Sequence, residues 1–281
     1  AQNISHKLKN KDTKRCQVIL PLIKKIKYSI LLTGTPTNNR PCELWTQIDA
    51  LKPGYFGNYT QYTKRYCDGK QGKYGWEANG SINLKELHCL IKNTVFIRRL
   101  KKDVLTQLPN KIRQIVKIGI EYKHEKTISQ KMTKYEKTFN GFNDNHIINM
   151  EHCNIDEMKE MNEKGKLCML QLYSLTGNAK IKGVLEYLTE LRETTDKFLV
   201  FGHHTNVLDA IQDHVKLKLK CQYIRIDGST KLEKRQEYVT AFQNNDNIKV
   251  AILSIKAAGT GLTLTKASTV VFAELYWSPS E

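Results

Sequence analysis

Residues 197–215 read KFLVFGHHTNVLDAIQDHV, and their reading decides the fold. Phe198–Phe201 is a short apolar run, as a strand buried on both faces requires. Val207, Leu208, Ile211 and Val215 then recur at helical spacing. The alternation extends in both directions. Upstream, AKIKGVLEYLTELRE (179–193) sets Ile181, Val184, Leu185, Leu188 and Leu191 on one helical face. Downstream, CQYIRI (221–226) reads as strand, KLEKRQEYVTAF (231–242) as helix, IKVAILSI (248–255) as strand and STVVFAEL (268–275) as a last strand. Strands alternating with helices imply βαβ units and a parallel sheet. The fold class is therefore α/β, with a doubly wound lobe from about Lys180 onward.

The rhythm is absent earlier. Tyr28–Leu32 reads as one strand, ending in the turn Thr33-Gly34-Thr35-Pro36. A helix follows with Pro41 in its first turn, where a missing N–H costs nothing, and with Leu44, Ile48 and Leu51 inward. This passage is too short for a sheet and reads as the last edge of a lobe that begins outside the chain. Between the two pieces, GNYTQYTKRYCDGKQGKYGWEANG (57–80) reads as helix then loop, and LKELHCLIKNTVFIRRL (84–100) as helix. KIRQIVKIGIEY (111–122) alternates, as a strand or an extended connector would. The asparagine-rich stretch 140–154 reads as a mobile loop, and IDEMKEMNEKGKLCMLQLYSL (155–175) as helix. The expected division is 1–51, 52–176 and 177–281, the middle part being mostly helical.

The 281 residues carry a formal charge of +17. Positive residues cluster at Lys7, Lys9, Lys11, Lys14 and Arg15, at Lys24, Lys25 and Lys27, and at Arg98, Arg99, Lys101 and Lys102. Such clustering favours a polyanion partner, usually nucleic acid, over mere solubility. No apolar run approaches the roughly 20 residues that span a bilayer, and the N-terminus has no apolar core of a signal peptide. The seven cysteines, Cys16, Cys42, Cys67, Cys89, Cys153, Cys168 and Cys221, have neither zinc spacing nor a disulfide framework, so reduced thiols are expected. The adjacent pairs His88-Cys89, His152-Cys153 and His203-His204 do not suggest a metal site, since neighbours on one element rarely converge on one ion.

In doubly wound folds ligands sit beyond the carboxyl ends of the strands. Four strand-to-loop junctions, LLTGTP (31–36), VFGHH (200–204), RIDGST (225–230) and LSIKAAGTGLTLT (253–265), end in small or polar residues with glycine. Any one could be a structural turn. Four on a basic chain point to phosphates.

With IRRLKKDVLTQLPNK (97–111) these stretches, in this order, resemble the SWI/SNF-related family of superfamily-two helicase-like ATPases. KRYCDGK (64–70), LKELHCLI (84–91), RRLKKDVLTQLPNK (98–111) and VVFAELYW (270–277) are most similar to its annealing-helicase branch, the HepA-related and zinc-finger Ran-binding proteins. The resemblance implies the end of one RecA-like lobe, a mostly helical insert, and most of a second RecA-like lobe. It implies motif III at Thr33, Gly34, Thr35 and Pro36, coupling nucleotide to DNA, where the residues alone also allow a helix-capping turn. It implies DNA-binding roles for His203, His204, Asp227, Gly228, Ser229, Thr230 and Ser254. Lys256, Gly259, Thr260 and Gly261 match motif V on the nucleotide side of the cleft. Arg98, Arg99 and Lys101 match a brace between lobes, and Arg235 a brace for the turn at 227–230. Trp45 and Trp277 are expected to pack.

The resemblance also implies ATP and Mg²⁺ as cofactors, duplex or forked DNA as partner, replication or repair proteins contacting regions outside the chain, no membrane, and a nuclear location. Departures from the pattern are equally legible. The chain has no G-x-x-x-x-G-K-[ST] phosphate loop. Asn3-Ile4 stand where the acids of motif II belong, before Ser5-His6, and cannot hold Mg²⁺ as carboxylates would. The chain stops at YWSPSE, before the place of motif VI and its arginine finger. The expectation is a fragment of a DNA-dependent ATPase, inactive alone. A nucleosome-remodelling motor and a catalytically dead nucleic-acid-binding module are the alternatives.

Overall fold

The structure, a computed structural model, describes residues 5–37, 40–72, 75–105, 107, 110–140, 155–259 and 261–276. Asn3-Ile4, Thr260, Trp277 and all but the first residue of the asparagine-rich stretch lie outside these residues. The chain divides into two compact units, Ala1–Arg113 and Gln114–Pro279.

In the first unit, a 3-10 turn at Ser5–Leu8 precedes α1 (Lys14–Lys25), whose N-cap Thr13 accepts the Cys16 N–H. The strand expected at Tyr28–Leu32 does not form. The segment is irregular, with Tyr28 and Ile30 more than four-fifths exposed, because no neighbouring strand takes its N–H and C=O groups among the described residues. The helix expected at Pro41 begins as a 3-10 turn, Pro41–Leu44, and becomes α2 (Trp45–Leu51). Next, α3 (Tyr59–Tyr66) opens with a capping box in which Asn58 and Gln61 serve each other's backbone N–H. The lysine- and glycine-rich segment read as loop contains a hairpin, β1 (Lys70–Gly72) paired antiparallel with β2 (Gly75–Glu77). Then come α4 (Leu84–Thr94) and the short α5 (Lys101–Val104), so the helix read over 84–100 stops at Thr94.

The core of this unit joins Ile48, Tyr62, Tyr66, Cys67, Leu87 and Ile91, with Cys42 and Trp45 packed against it. Trp45 meets the Tyr59 ring edge-on at 5.4 Å. Two of the scattered cysteines meet here. A hydrogen bond from the Cys67 thiol lowers Cys42 to about 7 and pushes Cys67 up.

Residues 111–121, which cross from the first unit into the second, pair with no strand among the described residues, which selects the connector reading. The second unit continues through α6 (Tyr122–Asn140) and α7 (Ile155–Thr194). The two helical stretches read at 155–175 and 179–193 are one helix of 40 residues. Strands and helices then alternate: β3 (Phe198–Gly202), α8 (Thr205–Leu217), β4 (Gln222–Ile226), α9 (Leu232–Asn244), β5 (Ile248–Ser254), the short α10 (Ile255–Ala258) and β6 (Thr269–Phe272). The sheet is parallel throughout, in the order β4-β5-β3-β6.

Side-chain alternation splits the strands between two cores. Val200, Val250 and Ile252 face Leu188 of α7 and Leu208, Ile211 and Val215 of α8. Leu199, Ala251 and Leu253 face Val239 and Phe242 of α9. Helices therefore cover both faces, which is why these strands read as continuous apolar runs.

Candidate nucleic-acid interface

Parallel strands end together. β4, β5 and β3 are adjacent in the sheet, so three of the four junctions read from the sequence lie side by side at its carboxyl edge. The fourth, in the first unit, is described separately below.

After β4, the Asp227–Thr230 turn is tied to itself. Asp227 Oδ1 accepts from the Ser229 N–H at 2.9 Å and the Ser229 hydroxyl at 2.6 Å, while Oδ2 accepts from Arg225 Nε at 2.8 Å. The Ser229 hydroxyl, its N–H and Arg225 hold the Asp227 carboxyl below the usual carboxylate range. The Asp227 N–H in turn donates to the Thr230 hydroxyl at 3.1 Å. The Ser229 donors that the sequence offered to phosphate oxygens are thus engaged within the turn. Arg225 is locked further by Asp209 Oδ1 at 2.6 Å.

Arg235, one turn into α9, hydrogen-bonds three carbonyls: Thr230 at 3.1 Å, Asp227 at 3.3 Å and Ala257 at 3.0 Å. It joins the β4 turn to α10, at the end of β5. There Ser254 is buried at the N-cap position and Lys256 is exposed. A Cβ on Gly259 would stand 2.6 Å from the Ile255 carbonyl oxygen, and Gly261 has φ +83°. Both positions require glycine.

After β3 the chain reaches His203-His204. Their two backbone N–H groups donate to Glu274 Oε2 at 2.7 and 2.9 Å, and His204 Nδ1 lies 2.6 Å from Glu274 Oε1. Glu274, just past β6, is 3% exposed. Tyr173 of α7 packs its ring 5.1 Å from His203 and 4.7 Å from His204, and its hydroxyl donates to the Leu275 carbonyl at 2.6 Å. His203 also meets the Tyr276 ring, over which Lys256 Nζ stands at 5.1 Å. Burial first, then the neighbouring His204 and Lys256, lower the His203 pKa.

Gly177 of α7 makes this packing possible. A Cβ there would fall within van der Waals distance of Glu274 Oε1 and lie 3.1 Å from His204 Nδ1. Helix propensity favours alanine by about 1 kcal/mol, but overpacking against a carboxylate pinned by three partners costs about 1–3 kcal/mol. Gly177→Ala is expected to lower the thermal midpoint. A raised midpoint would show that the carboxylate can move aside.

In the first unit, Thr33–Pro36 form neither helix nor strand. The Thr33 hydroxyl accepts the Thr35 N–H at 3.1 Å, so it caps its own turn rather than a helix. The Pro36 carbonyl accepts from Gln47 Nε2 at 2.8 Å, and Gln47 Oε1 accepts from the Ser5 hydroxyl at 3.0 Å. Ser5 and the turn at 33–36 are thereby linked through one buried side chain. Arg98 and Arg99 are exposed, and Lys101 opens α5. Part of the basic leader is matched locally, Lys24 by Asp49 at 2.5 Å and Lys9 by Glu43 at 3.7 Å.

Glu274, Tyr173 and Gln47 escaped the sequence reading. Gln47 and Glu274 are polar side chains at buried positions and Tyr173 is half-buried, and their partners are distant in sequence, so no local signal marks them. The described residues contain no group of three His, Cys, Asp or Glu side chains able to hold a metal ion. They therefore do not fit a Mg²⁺ site by themselves.

Residues 5–198 match the family described as the SNF2-related domain, and residues 179–281 match the helicase conserved C-terminal domain. The chain is 43% identical over 276 residues to the SWI/SNF-related matrix-associated actin-dependent regulator of chromatin subfamily A-like protein 1 of Xenopus tropicalis, covering 98% of the chain and 27% of that protein. It is 39% identical over 280 residues to the DNA annealing helicase and endonuclease ZRANB3 of Homo sapiens, covering 98% and 24%. The chain thus spans about a quarter of the length of these relatives. Among solved structures, the Sulfolobus solfataricus SWI2/SNF2 ATPase core in complex with dsDNA aligns with 98% of this chain and 57% of its own, at 24% identity and a TM-score of 0.46.

Proposed function

This chain belongs to the SNF2-related family, and we propose on that premise that it is part of an ATP-dependent translocase on double-stranded DNA that remodels or rewinds branched DNA. The observation that carries this reading is the alignment of three polar, glycine-containing loops along one edge of a parallel sheet, in a chain of net charge +17. The name of the human relative, a DNA annealing helicase, supports the same substrate class.

In this reading residues 1–51 close a first RecA-like lobe, 52–176 form the helical insert and connector, and 177–281 form the second lobe. Thr33, Gly34, Thr35 and Pro36 couple nucleotide state to DNA. Lys256, Gly259, Thr260 and Gly261 belong to the nucleotide side. His203, His204, Asp227, Gly228, Ser229, Thr230 and Ser254 face the DNA backbone, Arg98, Arg99 and Lys101 brace the connector between lobes, and Arg235 braces the turn at 227–230. ATP and Mg²⁺ serve the full-length protein in the nucleus. The name of the Xenopus relative, a regulator of chromatin, favours a second reading in which the substrate is the nucleosome.

Two measurements test the proposal. Duplex affinity of the 281-residue chain should fall linearly in log–log form with salt, at about −0.9 per contacted phosphate, and depend little on base sequence. A flat salt dependence would exclude backbone contacts. ATP hydrolysis by the chain alone is expected at background, for want of a phosphate loop, whereas the full-length protein should show hydrolysis stimulated by forked duplex. A full-length protein with no DNA-stimulated hydrolysis would reduce the chain to a nucleic-acid-binding module. Stimulation by nucleosomes above that by forked DNA would select the second reading.

A further inference from the structure

The junction of a parallel strand with the helix that follows it is a natural anion site, because free N–H groups and the helix dipole converge there. At the head of α8 that place is already taken. Glu274, brought from the far side of β3 by the last strand, fills it with a buried side chain, and both main-chain N–H groups of His203 and His204 are spent on one of its oxygens. These N–H groups are therefore not available to a DNA phosphate. The remaining oxygen faces His204 Nδ1 at 2.6 Å. A carboxylate only accepts hydrogen bonds, so Nδ1 carries a proton; Nε2 is then an acceptor in the neutral ring and a donor when the ring carries its second proton.

We infer that Glu274 is a positioning residue of the DNA interface, which receives the two N–H groups at the head of α8 with an internal carboxylate and holds the Nδ1–H of His204 inward, so that Nε2–H donates to the phosphate backbone when the ring carries both protons. Tyr173 and Tyr276 wall the pair from either side, and Gly177 leaves room for the carboxylate. The DNA half of this inference rests on the proposed function; the orientation half does not.

The two halves separate experimentally. Long-range ¹H–¹⁵N spectra of the 281-residue chain, recorded where histidine is neutral, should show His204 protonated at Nδ1. In Glu274→Gln the amide oxygen can still accept the two backbone N–H groups, but its NH₂ then faces Nδ1, so the tautomer should switch to Nε2–H. A wild-type ring protonated at Nε2, or a tautomer unmoved by Glu274→Gln, overturns the assignment. For the DNA half, measured where histidine carries both protons, Glu274→Ala and His204→Ala should each weaken binding of a duplex oligonucleotide by roughly tenfold, and the double variant by no more than the stronger single one, because Glu274 acts through His204. Additive losses would overturn the positioning role. A wild-type chain that binds no duplex would overturn the proposed function, and the tautomer would still decide the orientation.

Discussion

Phe242→Ala is expected to cost the second unit about 3–5 kcal/mol, the range for deleting a buried phenylalanine that its surroundings cannot replace. The ring is fully buried on α9, among Ile224, Ile226, Leu253 and Val239. It also lies under the ammonium of Lys197, 5.1 Å from the ring centroid. That ammonium is buried and donates to the Phe242 and Asn245 carbonyls, both at 2.9 Å. The substitution therefore opens a cavity and removes the apolar floor under a buried charge. Since native domains are stable by roughly 5–15 kcal/mol, at least about a fifth of the margin would be lost. Chemical denaturation should show a lower midpoint in the second unit. Leu232→Ala, on the exposed face of the same helix, should stay within about 0.5 kcal/mol of wild type. Equal effects from the two would mean that α9 does not seal the sheet as described.

Arg235→Ala should have the second large effect. Its guanidinium spans carbonyls at Thr230, Asp227 and Ala257, groups on two loops that no regular ladder joins. Hydrogen bonds from a charged donor are worth about 1.5–3 kcal/mol each and do not add, so a loss of about 2–4 kcal/mol is expected. Lysine should not restore it, because a single ammonium cannot reproduce the planar fork. On the proposed function, duplex affinity should fall along with stability in both variants. Full recovery by Arg235→Lys would show that charge alone suffices there.

What could be read from the sequence followed burial. β3, β4, β5, α8 and α9 each carry their own evidence, an apolar run or a helical period within a dozen residues. The junction loops were found for the same reason, since a buried strand must end somewhere visible. Glu274 was not legible, because its partners lie 70 and 71 residues away and nothing local marks a buried acid. Gly177 misled for a related reason. It fell between two helical readings, yet the helix runs through it, and the missing side chain makes room for a carboxylate from the segment just past β6. The hairpin at 70–77 was too short and too rich in glycine and lysine to announce itself. Tyr28–Leu32 failed in the opposite direction. Its apolar residues are those of a strand, but a strand is a relation between two segments, and composition reports on one.

The position of Glu274 also sets an order of events in folding. The backbone hydrogen bonds of α8 are local and can form early, whereas β6 pairs with β3 only after a long loop closes. Until that closure the two N–H groups at the head of α8 have no carboxylate to receive them. The histidine pair should be the last part of the second unit to acquire its native environment during refolding. Its imidazole resonances would then act as a clock for completed assembly, lagging behind the recovery of helical signal.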